Sequence, residues 1–224
     1  MPRSQGRGAF GARIIEVSHA IEAGMITYPG LPAPRAETLM GYDESRAKYT
    51  EGTEFFIASL HLCGNTGTYV DSPRHRYRDG ADLASLPLSR LAQLPTTIVD
   101  ADGAIGPEAF RDREIEGRAV LVRTGFSKHW RTERYLRDNP FLTAAACDHL
   151  VRAKAAFVGI DSLNIDDVRD TARPAHTKLL GAGIPVCEHM KLDLLLDGDG
   201  FLHAVPIAWV GGATFPVRAY VVRD

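Results

Sequence analysis

Apolar residues along this chain fall in short runs, each closed by glycine, proline or aspartate. The runs Ala12–Val17, Phe55–Leu62, Thr96–Asp100, Ala119–Arg123, Ala155–Ile160, Ile184–Cys187, Leu202–Trp209 and Pro216–Val222 are rich in Val, Ile, Phe or alternating residues. Such runs predict strands. Between several of them the period lengthens to that of a helix. The clearest case follows Thr143 as an N-cap and reads TAAACDHLVRAKA, with Ala146, Leu150 and Val151 on one face. Shorter helical patterns cover Pro107–Asp112, His129–Arg137, Pro174–Leu180 and Glu188–Leu196.

Strands outnumber helices, and the first and last thirds read mostly as β. The middle reads strand–helix–strand, from VLVRTG through the Thr143 helix to AAFVGID. The pattern predicts a mixed α/β domain with one central sheet region, not a long doubly wound sheet. The first ten residues read as a flexible leader and residues 11–224 as a single domain. Pro29–Glu51 reads as a long loop, a class of segment that often shapes a site.

Composition narrows the function. Hydrophobic residues make up 45% and charged residues 24%, the balance of a globular protein with a sizeable core. A formal charge of −2 provides no field for nucleic acid or an anionic membrane, so a small-molecule partner is expected. No apolar run approaches the roughly 20 residues needed to span a bilayer. Cys63, Cys147 and Cys187 are odd in number and widely spaced, which argues against a disulfide framework and for a reducing cytoplasm.

Three stretches carry chemistry. In HLCGNTGTYVDSPRHRYRDG, Gly64 and Gly67 force a tight polar turn after a strand, and Tyr69 and Asp71 lie two apart, on one face of extended chain. His75 follows Pro73, and His61 precedes Asn65 by four residues, within reach of the same place. The stretch reads equally as a polar turn with Asp71 capping amides. In PAHTKLLGAGIPVCEHM, His176 opens a helix and Glu188 ends a strand twelve residues later; with a distant Asp they make an acceptable set for zinc or manganese, though a lone His and a lone Glu also read as surface residues. In GIDSLNIDD, Asp161 ends a buried strand where substrate sites gather, and Asp166 and Asp167 read as a solvated turn. Elbow, P-loop, dinucleotide and HExxH motifs are all missing.

In this order, the motifs resemble the cyclase family, which contains bacterial kynurenine formamidases and isatin hydrolases. EVSHAIEAGMITYPG resembles its opening, NTGTYVDSPRH stands where its HxGTHxDxPxH signature belongs, and GGATFPVRAYVV resembles its closing strand. The resemblance implies a compact single-domain α/β fold with a mixed sheet, a barrel-like core and flanking helices. It also implies a homodimer or higher oligomer and a divalent metal that activates water. By position, Asp71, His176 and Glu188 match metal ligands and His75 matches the acid/base histidine; Asn65 and Tyr69 replace two ligand histidines. Losing two imidazoles argues against two metals. Three outcomes stay open: one zinc or manganese ion serving hydrolysis or ring closure of a small cyclic amide or lactone; a metal-free site using Tyr69, Asn65 and His75; and a ligand-binding protein without turnover.

Overall fold

Residues Ala119–Val122 are fully buried although they lie consecutively along one strand. That requires cover on both faces of the sheet, and the computed structural model, which describes residues 5–7, 12–195 and 200–223, shows it. The strands in chain order are β1 Gln5–Arg7, β2 Arg13–Glu16, β3 Arg35–Met40, β4 Ile57–His61, β5 Tyr69–Asp71, β6 Leu94–Asp100 and β7 Ala104–Ile105. They continue as β8 Ala119–Arg123, β9 Phe141–Leu142, β10 Phe157–Ile160, β11 Val186–Glu188, β12 Phe201–His203, β13 Thr214–Pro216 and β14 Tyr220–Arg223. The helices are α1 Tyr42–Arg46, α2 Ala144–Arg152 and α3 Pro174–Gly181.

Ten of these strands form one mixed sheet in the order β1-β2-β14-β12-β6-β8-β10-β11-β5-β13. Its centre, β6-β8-β10-β11, is parallel, and the flanks are antiparallel. Side chains alternate between two cores, as the period of a strand demands. Val120, Val122, Val158, Ile160 and Val186 meet α2 and α3 on one face. Leu121, Phe157, Val70 and Cys187 pack on the other with Ile15 and Val221 from the far end of the sheet, so the sheet curls over this second core. Lys191 N, just beyond β11, donates to Val17 O beyond β2 at 2.9 Å and ties the curl.

The expected mixed α/β fold with a barrel-like core is present, and the central strands and α2 stand where the pattern put them. Thr143 Oγ1 accepts from Ala146 N at 3.3 Å, the expected N-cap, a contact type typically worth ~1 kcal/mol. Other expectations change. Pro107–Asp112 and His129–Arg137 hold only short 3-10 turns, the second pattern being broken where Arg131 adopts φ 63°. The helix expected from Glu188 does not start, because Glu188 pairs in β11 and His189 takes φ 54°. Leu202–Trp209 keeps only the three-residue β12, and Pro216–Val222 divides between β13 and β14. The loop Pro29–Glu51 contains β3 and α1. The expected leader lies mostly outside the described residues, but its Gln5–Arg7 segment pairs with β2.

Candidate active site

The site is built where β5 lies between β11 and β13. Antiparallel register sets Tyr69 opposite Glu188 and Asp71 opposite Val186. Period two then presents Tyr69, Asp71 and Glu188 on one face and sends Val70 and Cys187 into the core behind. The chain enters β5 through a turn that needs its glycines. Gly67 sits at φ 65°, and a Cβ on Gly64 would stand 2.5 Å from the Thr214 carbonyl oxygen. Asp71 is fully buried, and neither of its carboxylate oxygens has a hydrogen-bond partner. A carboxylate buried without a hydrogen bond is expensive.

His176 comes from the first turn of α3. Pro174 suits the start of a helix, but the preceding Arg173 adopts φ 49° and offers no capping side chain. The cap arrives from elsewhere in the chain. Asp166 accepts from Ala175 N at 2.6 Å, from His176 N at 3.2 Å and from His176 Nδ1 at 2.6 Å. Asp166 is fully buried, so its expected place in a solvated turn is corrected: α3 needed an acceptor and its own sequence lacked one. With Nδ1 held, His176 Nε2 points at Asp71 Oδ2 and Glu188 Oε1, both at 3.6 Å, too long for hydrogen bonds. Burial alone would lower the His176 pKa, but Asp166, Asp71 and Glu188 outweigh it and raise it to about 10. Without a cation at the site these acids favour the protonated form of His176, and a metal ion at Nε2 would have to displace that proton.

Tyr69 Oη donates to Glu188 Oε2, and Ile165 N donates to Glu188 Oε1 at 2.7 Å. Burial and the charges of Glu188 and Asp71 push the Tyr69 phenol well above its ordinary range, so it stays a neutral donor. Glu188 is itself raised to about 7, chiefly by burial. His75 stands at the mouth on the 3-10 turn Pro73–His75, its side chain 34% exposed and its Nε2 3.9 Å from Asp71 Oδ1. Asn65 also faces the pocket, its Oδ1 accepting from Thr214 Oγ1 at 3.1 Å. Together Asn65, Tyr69, His75 and His176 line a cavity of about 390 Å³, walled by Tyr28–Leu31, Arg76, Asn164 and Arg173.

Two candidates lie apart from this cavity. His61 is exposed on the β3–β4 ribbon, opposite Arg35, because β4 runs away from the site before the chain turns back. Asp161 is buried, and its carboxylate accepts from Thr124 N at 2.8 Å, Thr124 Oγ1 at 2.6 Å and Gly125 N at 2.9 Å, a turn-closing role. Of two further histidines with no readable pattern, one is interior and the other half-buried. His189 is fully buried with Nδ1 3.0 Å from Tyr135 Oη, and His19 stacks on Trp130 at 4.1 Å. Burial lowers them to about 3 and about 4, so both are neutral.

The donor set fits one divalent cation. One ligand atom each from Asp71, His75 and His176 lie within 4.8 Å of one another, and neither Asp71 oxygen is engaged in a hydrogen bond. Three buried acids, Asp71, Asp166 and Glu188, surround the single imidazole of His176, so a cation that replaces its Nε2 proton is electrostatically favoured. Glu188 is close enough to His176 to contribute, but Tyr69 and Ile165 already engage its oxygens. The set does not fit two cations, since Asn65 and Tyr69 present an amide and a protonated phenol where a second ion would need strong donors.

The same arrangement can be compared with known proteins. Kynurenine formamidase of Bacillus cereus is 29% identical over 210 residues, covering 92% of this chain and 96% of that protein. Isatin hydrolase A from Labrenzia aggregata superposes with a TM-score of 0.81 at 22% identity, over 95% of this chain and 94% of its own. A structure described as a potential metal-dependent hydrolase with cyclase activity superposes with a TM-score of 0.79 at 24% identity, over 95% and 98% of the two chains. These likenesses in fold accompany a match of residues 15–167 to the Cyclase family model, and with two thirds of its length so matched the chain belongs to the cyclase family.

Proposed function

We propose that this protein is a hydrolase or ring-closing enzyme acting on a small cyclic amide, lactone or related carbonyl compound, with at most one divalent ion, zinc or manganese. The observation that carries the reading is the buried Asp71 carboxylate, without a hydrogen bond, clustered behind the cavity with two residues that line it, His75 and His176. Asp71 and His176 would hold the ion, with Glu188 the third ligand once Tyr69 yields it. When bound, such an ion polarises a carbonyl and makes a water more acidic. Asp166 keeps the proton on His176 Nδ1 and so aims Nε2 at the floor. His75, partly exposed and next to Asp71, exchanges protons with solvent and serves as general acid/base. Tyr69 orients Glu188 by its hydrogen bond.

One observation favours a second, metal-free reading. His176 already supplies a buried positive charge beside the Tyr69–Glu188 pair, and the neutral Tyr69 hydroxyl is competent as a donor to a carbonyl. The test measures hydrolysis of N-formylkynurenine, isatin and simple lactones by protein of known metal content. The lead reading expects turnover with about one equivalent of zinc or manganese, abolished by a chelator and restored by the ion. Turnover indifferent to chelator supports the metal-free reading, and no turnover of any of these carbonyl compounds overturns both.

The assembly we propose is a homodimer formed through the β3–β4 ribbon. Leu39, Tyr42, Phe55, Phe56, Ile57 and Leu60 are each about half exposed along this arm, which no other strand among the described residues pairs with. Exposed apolar side chains gathered on one arm mark an interaction surface. Light scattering should give twice the 24.5 kDa chain mass, and Leu39→Asp with Leu60→Asp should halve it; a wild-type monomer would overturn the assembly. Cys63, Cys147 and Cys187 are all free, in keeping with a proposed cytoplasmic setting. No helix among the described residues is long and apolar enough to cross a membrane.

A further inference from the structure

We propose that Asn164 is a catalytic residue that donates a hydrogen bond from its side-chain amide to the carbonyl oxygen of the substrate. The assignment rests on the hydrolase or ring-closing reading above for the reaction, but the donor itself is tested by binding alone.

Asn164 belongs to residues 161–167, which follow β10, and only 3% of it is exposed. Its neighbours in this loop each hold part of the site. Ile165 N donates to Glu188 Oε1 at 2.7 Å, and Asp166 Oδ2 lies 2.6 Å from His176 Nδ1. The Asn164 side chain has engaged only its oxygen: Oδ1 accepts from Asp166 N at 3.0 Å. That contact fixes which way the amide is turned, because a backbone N–H requires an acceptor opposite it. The two protons of Nδ2 then meet no acceptor among the described residues. Arg173 Nη1 and His189 Nε2 also lack partners, but they are closed off from solvent, and Asn164 Nδ2 is not. A side chain this buried finds open space only in the cavity it lines. Asn164 therefore presents a neutral N–H donor to whatever occupies the cavity.

The donor is also held still. Asn164 O accepts from Asn139 Nδ2 and from Ser162 Oγ, both at 2.9 Å. Asn139 Nδ2 reaches Asp166 O as well, at 3.2 Å, and Leu142 N donates to Ile165 O at 2.9 Å. The loop is thus pinned on either side of Asn164 to residues 139–142. A donor fixed before the ligand arrives needs no reorganisation as charge gathers on the acceptor, and losing one such donor typically lowers kcat by about 100–1000-fold. Tyr69 would have to give up its bond to Glu188 to do the same, and Asn164 gives up none.

The surrounding charges select the acceptor. Asp71, Asp166 and Glu188 are all fully buried in this part of the site, so a group that reaches Asn164 is better neutral than anionic. A lactam, lactone or amide carbonyl is such an acceptor. Its oxygen gains negative charge only as its carbon is attacked, which is when a fixed N–H counts most.

The test compares 2-oxindole, which carries a lactam carbonyl, with indoline, the same bicycle with a methylene in its place. Calorimetric titration of the wild-type protein should show oxindole binding about fivefold or more tightly, the difference one hydrogen bond makes. Asn164→Ala should bring the two affinities together. A crystal of the wild-type oxindole complex should place the ligand oxygen about 2.7–3.2 Å from Asn164 Nδ2, a measurement that decides the matter even if the variant fails to fold. Equal wild-type affinities, a preference that survives in Asn164→Ala, an oxygen bound elsewhere, or no binding of oxindole at millimolar concentration would each overturn the assignment. Because no turnover is read, the hydrolase reading can fail while the donor stands. A protein that turns over its carbonyl substrates and keeps the oxindole preference in Asn164→Ala would show the reverse.

Discussion

Replacing Asp166 by alanine is expected to destabilise the protein by about 3–5 kcal/mol, the range for removing one partner of a buried ion pair. The residue does three things at once. It accepts from two amides at the start of α3, where no local side chain caps the helix, and it holds His176 Nδ1. Losing a cap alone costs typically ~1 kcal/mol. The larger part comes from leaving the His176 cation, 6% exposed, without its closest counter-charge. Urea melts should show a lower midpoint with an unchanged slope. Activity of the folded fraction should fall by roughly 10–100-fold, the usual effect of removing the partner that orients a ligand histidine. Asp166→Asn separates the roles in part: its single amide oxygen keeps an acceptor for one of the two amides, which now use different carboxylate oxygens, and it removes the charge, so it should recover part of the stability and little of the activity. An alanine variant as stable as wild type would show that α3 is not held from this loop.

Asp71→Asn should abolish the stabilisation that zinc or manganese confers and lower turnover by about 100-fold or more, the several kcal/mol that metal polarisation supplies to such reactions. The structural basis is that both Asp71 oxygens are buried, unpartnered and within reach of His75 and His176. At a metal concentration about 100 times its dissociation constant, one site stabilises by ~2.7 kcal/mol. For a chain of this size that is a rise in Tm of roughly 5–10 °C. Thermal melts with and without metal should show this rise in the wild type and not in the variant. Identical melts for the wild type in metal and in chelator would remove the ion from the proposal and leave the Tyr69–Glu188–His176 reading.

Much of this was legible along the chain, and the reason differs from residue to residue. The strand at Ala119–Arg123 and the Thr143 cap were readable because the determining forces are local: apolar content, β-branching and a side chain three residues from the amide it serves. The pairing of Tyr69 with Asp71 on one face followed from the two-residue period alone. His61 and Asp161 stand apart from the cavity for opposite reasons. Proximity in sequence to Asn65 did not bring His61 inward, since β4 leads into an exposed ribbon. Asp161 does stand at a strand end, but neighbouring turn amides satisfy it.

Family membership, the mixed α/β class and the residues of the altered signature, Asn65 and Tyr69 included, are properties of the amino-acid order, because short-range pattern and motif sequence encode them. Which acid answers which base is not. Tyr69 meets Glu188 across 119 residues through strand register, and Asp166 reaches His176 across ten because a helix without its own cap draws an acceptor from a neighbouring loop. The unpartnered states of Asp71 and Arg173 belong to the same class. A lack of partners depends on every group that folding brings near, and no local window of sequence contains that information.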